Sequence, residues 1–409
     1  MGDGERKALV VQGPRSLAEA GAGPRSILSS VVSDALTVAR SRETALAAAH
    51  FRVGNYEFRE PDYRQITIWA RALEIDPEAL VRRLAKNSLT TRKNDYPFEE
   101  QTTIFKVAQG AIISLAWGLV ALPIKTFDWV RGLSIEEIAV YGAAAEQPNI
   151  SFSLPCLRQL LIGAINLKKL DLSNVPGLTR LVCEGNQLTE LDLSKVPNLN
   201  RLWCSGNRLT GLNLSNAPNL TELWCAINQL TELDLSNAPN LTELWCGSNR
   251  LTELDLSNAP NLTWLWCVKN HLTELDLSNV PNLTKLWCGG NQLTELDLSD
   301  VPKLSDLQCS GNQLTELDLS DVPNLTELGC SDNQLTELDL SKVPNLNRLW
   351  CSGNQLTELD LSKVPNLIKL VCHENQFTQL DVRANTALAD LVCFPSVNVK
   401  KLPSQNFKR

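Results

Sequence analysis

Residues 209–229 read LTGLNLSNAPNLTELWCAINQ, and this stretch decides the fold because segments of the same length and pattern lie end to end with it. Written in 21-residue lines from Leu167, the chain gives eleven lines without insertion or deletion, ending at Val397. One column therefore means one structural position, and the chain supplies its own alignment. Leucine opens each line except the last, which opens on Phe377, and it recurs at the fourth, twelfth and fifteenth places. The seventeenth place is always cysteine, from Cys183 to Cys393. The tenth is proline from Pro176 to Pro365, and the twentieth is asparagine from Asn186 to Asn375.

A coil of 21 residues cannot bury its own apolar face, but stacked coils can join their Leu and Cys columns into a continuous core. Side chains alternate along a strand. Leu223 and Cys225 are thus expected inside, and Glu222, Trp224 and Ala226 toward solvent. The Asn column is expected to turn its amide inward and satisfy backbone groups of neighbouring coils. Proline at the tenth place stops the opposite side of each coil from continuing as a regular strand.

The motif L-x-x-L-x-C-x-x-N-x-L-x-x-L-D-L, carried by Leu220, Leu223, Cys225, Asn228, Leu230, Leu233, Asp234 and Leu235, resembles the bacterial leucine-rich repeat of the short 21-residue class. That resemblance implies an α/β-type repeat solenoid, a curved array with one parallel strand per coil. It also implies protein recognition on the strand-bearing face. Members of the family share architecture rather than a reaction, so no partner follows from it.

Composition bounds the rest. The formal charge of −8 resides in residues 151–409, because residues 1–150 hold equal numbers of acidic and basic side chains. A partly acidic solenoid is a poor general binder of nucleic acid or anionic membrane. Residues 1–10 are polar and charged, without the apolar core of a signal peptide. Arg6 stands where a myristoylation motif wants Ser or Thr. The apolar run at residues 111–124 is too short to span a bilayer and contains Gly118 and Pro123. It reads instead as a hairpin, residues 103–108 and 111–117 around Gln109 and Gly110.

Four regions are expected: helical residues 1–100, an α/β cap with irregular first repeats at 101–166, the eleven repeats at 167–397, and a polar tail at 398–409 that frays. Residues 135–142 mimic a repeat strand, with Ile138 and Val140 in the Leu and Cys columns. Residues 155–162 do so again, with Leu157, Leu160 and Ile162 inward. Such units cap a solenoid end that would otherwise face water. Upstream, residues 26–51 suit a helix. Further helices begin near Pro61 and at Asp76, the latter with Pro77 in its first turn. Residues 69–84, WARALEIDPEALVRRL, are similar to a helix-turn-helix, but Glu74 occupies the usual glycine place and the region carries no net charge.

No catalytic constellation emerges, and no enzyme is expected. Eleven cysteines share one inward column, Cys156 lies in the irregular region, and His50, His271 and His373 are far apart. A 21-residue cysteine spacing is not a metal site and reads as buried, reduced thiols, with a cytoplasmic location. Acidic pairs such as Glu232 with Asp234 and Glu253 with Asp255 read as solvated surface rather than a calcium ladder. No cofactor or metal is expected.

The outward columns of the strand differ, because they vary from coil to coil. One runs Trp203, Trp224, Trp245, Trp266, Trp287, Gln308, Gly329 and Trp350. Two places earlier run Arg201, Glu222, Glu243, Trp264, Lys285, Asp306, Glu327 and Arg348. Two readings stand: a face that binds a protein, since Trp and Arg dominate interface energies, or an aromatic stack along the coils. The first leads, for a monomer with a protein partner. Its alternatives are a DNA-linked regulator using the helix-turn-helix-like segment, and a carbohydrate platform on the tryptophans. The break at Gln308 and Gly329 predicts a notch whose acids, Asp306 and Glu327, receive a basic protrusion.

Overall fold

In the computed structural model the described residues are 165–407 and 154–163, together with short strands and isolated positions before them. The chain divides into two compact units, Met1–Leu199 and Asn200–Arg409.

The second unit is built by repetition. Ten three-residue strands, from Arg201–Trp203 to Asp390–Val392, pair in parallel and in register, one per coil. Leu223 faces Leu244, Leu244 faces Leu265, and Leu265 faces Leu286, so each leucine lies against its own column. The fifteenth-place leucines, the twelfth-place leucines and the ninth-place Ala or Val are buried, all completely except Leu388. A leucine withdrawn from water contributes about 1.5–3 kcal/mol, and no coil could gather these contacts alone.

The strands are short because the chain bends two residues after each cysteine from Cys204 to Cys372, at the nineteenth place, where φ is positive. Gly206, Gly290, Gly311 and Gly353 take that conformation, and Ile227, Ser248, Lys269, Asp332 and Glu374 take it as well. The following asparagine fastens the bend. Asn249 Nδ2 donates to the carbonyls of Cys225 at 3.0 Å and Cys246 at 2.9 Å, while its Oδ1 accepts from the Leu230 amide at 3.0 Å. Each such amide satisfies groups in more than one coil, as the column pattern predicted. On the far side, Asp255 Oδ1 accepts from the Ser257 amide at 2.8 Å, which closes the turn before proline. The threonine column forms a second ladder, with Thr242 Oγ1 donating to the Thr221 carbonyl at 2.9 Å.

The end of this unit corrects one expectation. The tail does not fray. Asn398–Lys400 pairs in parallel with Gln379–Asp381. Gln405 folds inward, its Nε2 donating to the carbonyls of Val382 at 2.7 Å and Asn385 at 3.0 Å. Asn385 replaces the ninth-place Val and donates to the carbonyls of Leu361 and Val364. The polar composition of the tail concealed the buried amide of Gln405, which with Asn385 of the last repeat supplies the last coil with the partners another coil would have given.

In the first unit, parallel strands follow the order Val10–Val11, Ala111–Gly118, Glu137–Tyr141, Gln159–Gly163 and Arg180–Val182. Phe105–Ala108 joins Ala111–Gly118 antiparallel, so the expected hairpin is present. Ile138 pairs with Leu160, and Leu160 with Leu181, which puts the irregular units in the Leu column as read from sequence. Ile138, Leu157, Leu160 and Ile162 are buried. The expected helix at 26–51 lies outside the described residues except at its end, where His50 and Phe51 belong to the strand His50–Val53, paired with Tyr56–Arg59. The alternation of bulky and polar side chains there, HFRV and YEFR, favours a hairpin once two strands can pair. Thr67 and Glu78 are helical. The helix-turn-helix-like segment otherwise lies outside the described residues.

Candidate functional site

The strand face of the second unit holds every outward residue singled out above, and the structure sorts them into two groups. Trp203 stacks on Trp224 with ring centroids 4.1 Å apart, and Trp224 on Trp245 at 4.2 Å, both nearly parallel. Trp264 and Trp266 then meet Trp245 edge-on at 4.8 and 4.9 Å. Trp224, Trp245 and Trp264 are buried as a result. This corrects the expectation that the tryptophan stripe faces water. Coils spaced about 4.8 Å apart bring indoles in one column to stacking distance, so the stripe buries its own centre. Ala226, also expected outside, is buried too.

Half-buried rings remain at Trp203, Trp266, Trp287 and Trp350. Trp287 Nε1 donates to Asp306 Oδ2 at 3.0 Å, and Gln308 Nε2 donates to Asp306 Oδ1 at 2.9 Å. Lys285 Nζ stands 4.4 Å from the Trp264 ring centroid, a cation–π contact.

The expected notch is not open. Gly329 is buried, and a Cβ built on it would collide with Gln308 Oε1. Nor do the acids await a ligand. Asp306 accepts the two hydrogen bonds just described, and Glu327 pairs with Arg348 at 2.5 Å. Arg201 Nε pairs with Glu222 at 3.0 Å, and Lys369 Nζ with Asp390 at 3.2 Å. Glu243 is the face's other acid; burial and then the neighbouring Glu222 push its carboxyl above the usual range. The face thus pairs off most of its own charge.

The remaining chemistry is subdued. The ladder cysteines from Cys183 to Cys372 are free and buried, whereas Cys393 is partly buried and Cys156 is exposed. Burial pushes the Cys309 and Cys351 thiols up to about 12 and those of Cys225 and Cys246 also upward, which keeps them protonated and poorly nucleophilic. Asp234, Asp255, Asp276 and Asp297 are held below the usual carboxylate range by bonds from the serine two residues on. Among the described residues no group of three or more His, Cys, Asp or Glu could hold a metal ion, and no helix is long and apolar enough to cross a membrane.

Sequence reasoning passed over one residue of this face. Ile227 is half exposed with φ of 55°, in a column otherwise filled by glycine and polar residues from Gly185 to Glu374. Its signal was present in the alignment of coils as the one β-branched residue at the bend.

Two blocks, residues 218–258 and 260–300, match the family described as Leucine Rich repeats (2 copies). No curated protein matches the sequence. Among solved structures, the chain is similar to the functional domain of InlJ from Listeria monocytogenes, which includes a cysteine ladder. The identity is 38% and the TM-score 0.59, over 61% of this chain and 56% of that one. YopM from Yersinia enterocolitica is 28% identical with a TM-score of 0.55, over 67% of this chain and 64% of that one. A leucine-rich repeat protein of Leptospira interrogans, 22% identical with a TM-score of 0.61 over 70% of this chain and 84% of its own, shares the fold. The chain spans little more than half of the InlJ domain it matches. It is a leucine-rich repeat protein whose coils follow the short bacterial pattern.

Proposed function

We propose that the protein is a non-enzymatic scaffold that recognises a protein partner on the strand face of its second unit. Scaffolds of the internalin and YopM type typically mediate protein–protein interaction. One observation carries the reading: the inward columns repeat almost without change, while the outward columns vary and leave Trp203, Trp266, Trp287 and Trp350 half exposed. Packing accounts for Trp224 and Trp245. It does not require Trp350, whose ring is approached by Lys369 Nζ only at 6.0 Å from its centroid. Partly exposed indoles flanked by arginine and lysine match the residues that dominate interface energies. A carbohydrate platform is less well supported, because the flat faces of Trp224 and Trp245 are taken up by neighbouring rings. The exposed thiol of Cys156 supports a reducing, cytoplasmic setting, the buried ladder being inert in either.

The test is affinity capture by the intact protein beside a Trp266→Ala, Trp287→Ala double variant of unchanged fold. A partner held by the parent and lost from the variant is the expected result. A partner held equally by both would move the site off this face.

A further inference from the structure

We infer that the strip of the strand face centred on Ile227 docks a short, extended acidic peptide segment carrying one apolar side chain; this rests on the reading of that face as a protein-recognition surface. Two independent features of the strip point this way, and neither serves folding.

The first is Ile227 itself. It occupies the left-handed bend with φ of 55° and is 50% exposed. A β-branched residue is disfavoured in that region because its Cβ substituents crowd the backbone. Glycine takes the same bend at Gly206, Gly290, Gly311 and Gly353. Ile227 thus carries backbone strain while keeping half of its surface in water. Strain of this kind at a surface position is characteristic of residues held for function. Part-buried Val268, one coil further along than Gly247, is a further apolar side chain at the places after these cysteines.

The second is charge. Across the four coils around Ile227, the places after the cysteines hold Arg208, Arg250, Lys269 and His271, all exposed, and no acid. In the five coils that follow, the same places hold Asp332 and Glu374 with one histidine, His373, and no Arg or Lys. The basic strip is therefore local, in a chain whose net charge is −8. It is also narrow. Exposed Glu232, Glu253 and Glu274 bound it on one side, and Glu222 and Glu243 on the other. A broad acidic surface would be repelled at both margins, whereas an extended segment along the strip would meet the cations alone. Three coil spacings cover roughly 15 Å, the length of about five extended residues. A basic ligand is disfavoured, because Glu222, Asp306, Glu327 and Asp390 already have partners.

The experiment uses a fluorescently labelled pentapeptide, Glu-Glu-Leu-Glu-Glu, titrated with the full chain and read by anisotropy. Controls exchange glutamate for lysine, or leucine for serine. We expect saturable binding of the glutamate–leucine peptide that weakens with added salt, and weaker or no binding of both controls. Ile227→Gly and Lys269→Glu should each weaken it by about tenfold or more. Ile227→Gly should melt no lower than the parent, because glycine relieves the bend, so the loss cannot be unfolding. Absence of binding by the glutamate–leucine peptide, or equal binding by Ile227→Gly, would overturn the inference. Binding that survives Ile227→Gly but is lost in Trp287→Ala would overturn it while leaving the strand face as the recognition surface. Binding indifferent to both would count against the inference and that face together.

Discussion

Gln308 lies across the Cα of Gly329, and the glycine is what lets it: a Cβ at position 329 would meet Gln308 Oε1. The same glutamine donates to Asp306, which also takes the indole proton of Trp287. The missing indoles of two coils are thus replaced by a polar bridge rather than by a gap. Gly329→Ala should fold normally, because the obstructing atom is the far end of a flexible side chain. We expect a loss of about 0.5–1.5 kcal/mol, the worth of the displaced hydrogen bond, measured by urea unfolding. A loss of several kcal/mol would mean that the glutamine cannot turn aside.

The asparagine ladder should be far less tolerant. Asn249→Ala takes the acceptor from the Leu230 amide and one of two asparagine donors from each of the Cys225 and Cys246 carbonyls, which keep Asn228 and Asn270. A buried polar group left unsatisfied costs about 1–3 kcal/mol, and with two carbonyls weakened as well the variant should lose about 2–3 kcal/mol. An effect as small as that of Gly329→Ala would show that other groups take over the bonds.

The cysteine ladder gives a pH dependence with a definite sign. Burial raises the folded thiols, to about 12 for Cys309 and Cys351, from an ordinary value of 9.0. Below that ordinary value both states hold the proton and the thiols add no pH dependence. Above it the unfolded chain releases protons that the folded chain retains, so stability falls as pH rises from about 9 toward 12. Each such thiol removes roughly 1.4 kcal/mol per pH unit in this window. Unfolding free energies of the parent and Cys309→Ala should converge with rising pH, the variant's slope being shallower by one thiol. Parallel slopes would mean that Cys309 ionises in the folded state.

What was legible in the sequence was whatever one coil repeats. Leu223, Cys225 and Asn228 each recur at a 21-residue spacing, and periodicity alone placed them inside. The pairing of Ile138 with Leu160 was legible for the same reason. What escaped depends on neighbours in space. The burial of Trp224 requires that coil spacing match aromatic stacking distance, and the closing of the notch requires knowing how far Gln308 reaches. Trp264, in another column, joins the stack edge-on because an indole spans more than one column. Gln405 looked like tail composition, since nothing local distinguishes a capping amide from a solvated one.

That cap can be tested. Gln405→Ala should expose the carbonyls of Val382 and Asn385 and release the Leu402 amide, which now donates to Gln405 Oε1 at 2.6 Å. Hydrogen exchange should accelerate in residues 379–400 and stay unchanged at the strands Glu222–Trp224 and Glu243–Trp245. Uniform acceleration would make the cap part of the global unfolding unit, and no acceleration would make it dispensable.

The division of the strand face into a structural stack and a recognition surface is tested most directly by comparing Trp245→Ala with Trp350→Ala in equilibrium unfolding. Trp245 is buried between aromatic neighbours and should lose about 3–5 kcal/mol. Half-buried Trp350 should lose about 1 kcal/mol or less. Comparable losses at the two sites would make Trp350 a structural residue and contradict the assignment of this face to recognition.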